Sequence, residues 1–213
     1  MSPIRRLVPA LLFSTLILVF TSRLSAEAPA DASAPEVATS LCNALLASMK
    51  MGTPTNYAAR RDLLAPEITR DLDLPFMTRL VVGQTWSTTS TDDRKKAIDA
   101  FSAYSIATYA QRFKGFSGER FEVDPTSTPQ ARGDVIVHTK LYTGDPNPVQ
   151  LDYLMRRTNG QWKILDVYLS GTISEMAARR SEYSTLIRQG GTSALVDLLN
   201  KKTAEFSKEG TGS

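Results

Sequence analysis

Between Pro35 and Met51 the apolar side chains Val37, Leu41, Ala44, Leu45 and Met49 recur at the spacing of one helix face, with proline in the first turn and Gly52 as the stop. The pattern predicts a first amphipathic helix there. Tyr57 to Leu72 reads as a second, interrupted or kinked around Pro66, and Phe76 to Val82 as a short apolar third closed by Gly83. Trp86 follows in a Ser/Thr-rich turn. Thr91, with Asp92 and Asp93, then puts a capping residue and two acids at the positive end of a helix through Phe113. This helix carries Ile98, Phe101, Tyr104, Tyr109 and Phe113 and is expected to be the longest of the chain.

The period changes after Glu119. As far as Ser170 the chain alternates and is rich in β-branched residues, with turns at Pro125 to Pro129, Gly144 to Pro148 and Asn159-Gly160. Four strands fit: Arg120 to Asp124, Asp134 to Tyr142, Val149 to Arg157 and Gln161 to Ser170. Asn159-Gly160 gives the tightest hairpin signal of the set. Two further helices, Glu175 to Gln189 and Thr192 to Phe206, flank Gly190-Gly191, with Thr192 as the expected N-cap. Helices before and after a run of adjacent antiparallel strands make an α+β fold. The expected architecture is a curved antiparallel sheet of about four strands, covered on one face by the N- and C-terminal helices.

The two ends of the chain read differently. Arg5 and Arg6, the apolar run Leu7 to Phe20 and the small-residue stretch Leu24-Ser25-Ala26 make residues 1–26 a secretory signal peptide. The run is too short to cross a bilayer comfortably. Residues 27–34 form a flexible leader rich in Ala and Pro, 35–207 a single domain and 208–213 a flexible tail. Cleavage after Ala26 changes the charge picture as well. The full chain has 25 basic and 22 acidic residues, and cleavage removes three arginines and no acid, so 22 face 22. The basic balance that would suggest nucleic acid leaves with the leader, and the expected compartment is the periplasm.

Candidate chemistry is sparse. The single cysteine, Cys42, rules out an internal disulfide framework, and with one histidine it cannot build a Cys- or His-rich zinc site. His138 alternates with Val135 and Val137 and is expected on the solvent face of its strand. Asp152 and Asp166 could in principle be paired carboxylates, but the expected register puts them on opposite sides of the sheet. Asp166 is then a buried polar residue bonded to a neighbouring Tyr, Arg or backbone amide. No phosphate loop, EF-hand, G-x-S-x-G or zinc spacing occurs, so no catalytic residue and no metal or cofactor is expected. What remains is a surplus of apolar and aromatic residues facing inward from both layers. Periodicity alone leaves two readings open, a packed core or an apolar cavity.

An ordered series of residues bears on that choice. Val81-Val82-Gly83-Gln84-Thr85-Trp86, Phe101, Tyr109, Asp152-Tyr153, Gly160 to Val167, Gly171 to Ser174, Arg180 and Tyr183 together resemble the MlaC (toluene-tolerance) family. Members are periplasmic carriers that shuttle phospholipid between outer- and inner-membrane complexes. Gly171-Thr172-Ile173-Ser174-Glu175, one residue longer than the usual pattern, with Arg179-Arg180-Ser181-Glu182-Tyr183, resembles the hopanoid-associated HpnM branch. The resemblance implies a carrier of hopanoid or phospholipid, without bond chemistry, served by an inner-membrane transport complex and an outer-membrane acceptor. The ligand would lie against Leu80, Val81, Phe101, Tyr104, Tyr109, Met176 and Tyr183 of the helices. From the sheet it would meet Val135, Val137, Tyr153, Met155, Trp162, Ile164 and Tyr168. Arg179 and Arg180, with Arg188 nearby, are the head-group candidates, against the plainer reading of a solvated helix face. The competing class is a soluble enzyme acting on an isoprenoid or lipid-like substrate.

Overall fold

The computed structural model describes residues 32–52 and 57–209; the expected signal peptide, 1–26, lies outside the described residues, as do 27–31 of the leader and 210–213 of the tail. Helix α1 (Ala34–Lys50) starts one residue before the expected Pro35 because Ser33 closes a capping box with Glu36. Helix α2 (Tyr57–Asp71) runs uninterrupted through Pro66. Pro66 and Asp62 are both exposed, so the Asp62 carbonyl that loses its intrahelical donor faces water and the expected break does not occur. Helix α3 (Leu74–Val82) is capped by Asp73, and a 3₁₀ turn over Gly83–Thr88 carries Trp86. Helix α4 (Thr91–Arg112) is capped by Ser90 rather than Thr91: the Ser90 hydroxyl accepts from the Asp93 amide at 3.1 Å.

The sheet has five strands, not four, in the sequential order β1-β2-β3-β4-β5, with every pair antiparallel. They are β1 (Arg120–Pro129), β2 (Val135–Tyr142), β3 (Val149–Thr158), β4 (Gln161–Leu169) and β5 (Ile173–Ser174). The stretch from Pro125 to Pro129 is not a turn. β1 is an edge strand, where a proline removes no needed donor, and the pairing with β2 slips between Val123 and Ser127 as the chain bulges through Pro125. A second irregularity, between Leu154 and Met155 opposite Leu165, has larger consequences, because it inverts the alternation of β4. Ile164 pairs with Met155 on the inner face, but beyond Leu165 it is Val167 that shares the inner face with Tyr153. Asp166 and Tyr168 therefore turn to the outer face with Leu154 and Asp152. The expected inward Tyr168 and the expected opposition of Asp152 and Asp166 are both corrected by this one inserted residue.

Helix α5 (Glu175–Glu209) is the longest element, but Gly191 (φ 68°, ψ −166°) breaks its helical geometry where Gly190-Gly191 marked a boundary, so α4 remains the longest unbroken helix. The helices form the second layer. Helix α1 lies against β1, β2 and β4, while α4 lies against α2, α3 and α5. Leu41, Leu45, Leu64, Ile68, Phe101, Val137, Met155 and Ile164 fill the centre of the core and are fully buried. Arg60 is equally buried. Its Nε donates to the Ala110 carbonyl at 2.9 Å, answering one of the carbonyls that the end of α4 leaves without an intrahelical partner. An Arg60→Met variant keeps the volume and loses that bond. It is expected to lower unfolding stability by about 2 kcal/mol in a urea titration, and an unchanged midpoint would remove Arg60 from the account of how α4 ends.

Candidate functional site

The layers separate at one end of the sheet. Where α4 terminates, a cavity of about 380 Å³ opens between Thr108, Tyr109, Arg112 and Phe113 on the helix side and the inner face of β2, β3 and β4. Leu141, Val149, Leu151, Tyr153, Val167 and Leu169 make the sheet wall, and Met49 of α1 closes one side. Period-2 alternation puts Leu141, Leu151 and Tyr153 on this face, and the β4 irregularity adds Val167. The aromatic side is a stack: the rings of Tyr109 and Phe113 lie 5.8 Å apart at 11°, and Phe113 meets Phe121 at 6.3 Å. Val149 and Leu169, in the cavity wall, stay 41% and 36% exposed, and Ile173, paired with Leu169, is 55% exposed. The mouth therefore has an apolar lip.

Four charged residues line the cavity: Arg112 and Lys114 are exposed and Glu119 half-buried, whereas the Glu175 side chain is only 13% exposed. The Glu175 carboxylate holds Arg179 at 2.7 Å and Arg112 at 3.4 Å. Burial works against the Arg179 charge, but Glu175 outweighs it and keeps the guanidinium above its ordinary pKa. Deeper in, burial pushes the phenols of Tyr109 and Tyr153 well above their usual values, and both stay neutral. Burial likewise pushes the Cys42 thiol, 3.8 Å from the Tyr153 hydroxyl, up to about 12, so it is unreactive. The cavity thus has mostly apolar walls, with the part-buried Glu175 and its ion pairs on one side and two exposed cations beside it, a lining suited to a greasy chain with a polar end.

Of the residues singled out in the sequence, Tyr109 and Tyr153 line this cavity. Val81, Phe101, Tyr104, Val137, Met155, Ile164, Met176 and Tyr183 are buried in the core, and Leu80, Val135 and Trp162 pack against it part-buried. Tyr168 faces the other side of the sheet. Arg179 reaches the cavity lining only through Glu175, and Arg180 lies in a separate cleft with Arg188. Sequence reasoning missed Arg112 and Thr108 as wall residues. Phe113 was read only as part of the long helix, and Leu151 was not assigned to a site. The alternation that marked Val135 and Val137 extends to Leu141 and Leu151. Choosing which end of the sheet stays open required knowing where α4 stops.

His138, the only histidine, stands on the outer face with its side chain 42% exposed. Its Nδ1 lies 3.1 Å from Asp152 and its Nε2 3.1 Å from the Thr128 hydroxyl. It is separated from the cavity by the thickness of the sheet. Asp152 and Asp166 share this outer face but serve different partners: Asp152 accepts from Gln150 at 2.8 Å, and Asp166 from the amides of Val167 and Met176 at 2.8 and 3.1 Å. Among the described residues no group of three or more His, Cys, Asp or Glu could hold a metal ion, and no helix is long and apolar enough to cross a membrane.

Comparison with known proteins bears on the same architecture. A solved structure of a phospholipid-binding protein from Ralstonia solanacearum, in complex with a phospholipid, superposes with a TM-score of 0.68. At 22% identity the match covers 83% of this chain and 99% of that one, and it supports the fold. The family model described as MlaC protein matches residues 39–201, from the first turns of α1 to the last turns of α5 and across every strand that walls the cavity. By that span, the chain belongs to the MlaC protein family.

Proposed function

We propose that this protein is a periplasmic lipid carrier that takes a hopanoid or phospholipid into the cavity at the end of α4 and shuttles it between inner and outer membranes. The observation that carries the reading is the cavity itself, with mostly apolar walls, an apolar lip and the exposed cations Arg112 and Lys114 beside it. Each methylene moved from water into such a site recovers about 0.8 kcal/mol. One chain therefore outweighs a single polar contact at the entrance. In this reading Arg112, although paired with Glu175 at 3.4 Å, and Lys114 are the head-group candidates, a role the sequence had offered to Arg179 and Arg180. The phospholipid in the Ralstonia solanacearum structure supports the ligand class. The signal-peptide pattern in residues 1–26 supports the periplasm.

The hopanoid assignment rests on the HpnM-like segment. Ser170 (φ 52°) and Gly171 (φ 73°) turn the chain from β4 into β5, which brings Ile173 to the lip and Glu175 to the cavity wall. The extra residue of that segment thus falls at the cavity mouth, where ligand shape would be read. An inner-membrane transport complex and an outer-membrane acceptor are the partners this reading requires. A carrier fits better than an enzyme acting on an isoprenoid because His138 and its Asp152 partner are on the other face of the sheet. Mass spectrometry of lipid copurifying with natively extracted protein is expected to find about one hopanoid or phospholipid per chain. Protein that is reproducibly lipid-free and refuses both on reconstitution would sink the proposal.

A further inference from the structure

A second cavity, of about 450 Å³, lies between the end of α3 with its 3₁₀ turn and the middle of α5. It is remote from the first. Arg94, in the first turn of α4, donates to the Trp86 carbonyl of the 3₁₀ turn at 2.8 Å, whereas the lipid cavity is at the other end of α4. That helix has 22 residues and so spans about 33 Å. We propose that this cleft binds a phosphate group, as the free anion, a small phosphate ester or the head group of an anionic lipid. The proposal does not rest on the carrier reading.

The cleft is positive and lacks counter-charge. Arg180, Ser184, Ile187, Arg188 and Gly191 line it from one face of α5, and no carboxylate is among its lining residues. Other arginines of the chain, Arg61, Arg70, Arg112, Arg120, Arg156 and Arg179, each meet a carboxylate. Arg180 makes no hydrogen bond or ion pair with any described residue, and Arg188 only touches the Thr185 hydroxyl at 3.2 Å. The backbone at Gly83 (φ 68°) lies against the Arg180 guanidinium so closely that a Cβ there would stand 3.0 Å from Nε and 3.3 Å from Cζ and Nη2. One side of the guanidinium thus rests against the Gly83 backbone, while Arg180, like Arg188 and Ser184, is exposed and its donors face outward unused.

Two guanidinium forks, with the hydroxyls of Thr85 and Ser184 beside them, suit a tetrahedral oxyanion better than a carboxylate, which a single fork satisfies. Beneath them Val81, Val82 and Ile187 form an apolar floor, with room for the organic part of an ester.

The test uses the full-length protein with inorganic phosphate and glycerol 3-phosphate by calorimetry, and with phosphatidylcholine vesicles with and without phosphatidylglycerol by co-sedimentation. Arg180→Gln and Arg188→Gln are each expected to weaken binding at least tenfold with no change in melting temperature. Arg132→Gln, another arginine without a carboxylate, should leave binding intact. Arg180-dependent binding of the soluble anions identifies a phosphate-ester site, and Arg180-dependent binding only of phosphatidylglycerol vesicles identifies a lipid head group. No binding to any of these probes, or equal losses in the Arg132 and Arg180 variants, overturns the proposal. So does Arg180-dependent capture of a polyglutamate peptide without any response to phosphate.

Discussion

Leu151→Trp is expected to empty the protein of copurifying lipid while leaving a cooperative fold, and Val137→Trp to do the reverse. Both are inward positions on neighbouring strands, and in the sequence they look alike. Leu151 faces the cavity of about 380 Å³, so an indole there occupies space that a ligand would otherwise fill. Val137 is fully buried in the filled centre of the core. The added volume at that position has nowhere to go and should overpack, lowering stability by about 1–3 kcal/mol or more. Lipid content and thermal melts on the same preparations read both effects. Val167→Phe, on the adjoining strand of the cavity wall, is the second probe and should lower lipid content with a smaller steric intrusion. Equal lipid in the Leu151 and Val167 variants and the wild type would mean that the ligand lies elsewhere.

The contrast between those two positions also marks how far the sequence could be read. Helix existence followed from local apolar spacing and stop residues, whereas the starts are set by Ser33, Asp73 and Ser90, none of which the sequence reading singled out. The hairpin at Asn159-Gly160 was legible from its own two residues, both at positive φ. Long-range geometry was not. The inserted Leu165 leaves no local mark, since Ile164-Leu165 reads as an ordinary apolar pair, yet it decides that Val167 rather than Tyr168 faces the helices. The strand pairing through Pro125 was hidden because a proline argues for a turn unless the strand is known to be an edge. The cavity was hidden by its own chemistry: apolar residues lining a void and those filling a core follow the same alternation. Only the place where α4 ends separates Leu151 from Val137.

Asp166 is where a local sequence cue and a tertiary role meet, and its removal should cost the most stability. The carboxylate accepts from the amides of Val167 and Met176 at 2.8 and 3.1 Å and from the Ser174 hydroxyl. Ser174 in turn accepts from the Ala177 amide at 2.9 Å, so one side chain anchors the first turn of α5 to β4. Asp166→Ala leaves two amides unpaired in a site only 6% exposed and loosens the cap. A loss of about 3–5 kcal/mol is expected, read as a drop of roughly 10 °C in melting temperature. Asp166→Asn keeps an acceptor oxygen and should cost much less. The two variants also separate bonding from charge. Burial raises the Asp166 pKa above its ordinary value despite the three hydrogen bonds that favour the anion. The folded state therefore holds this proton more tightly than the unfolded chain does. Its contribution is fully present below about pH 4, the unfolded Asp value, and declines as pH rises through the raised folded value. Over that window the wild type should lose stability relative to Asp166→Asn, and the difference should then level off. A wild type that gains on the Asn variant as pH rises would show that the hydrogen bonds, not burial, set the charge state of this residue.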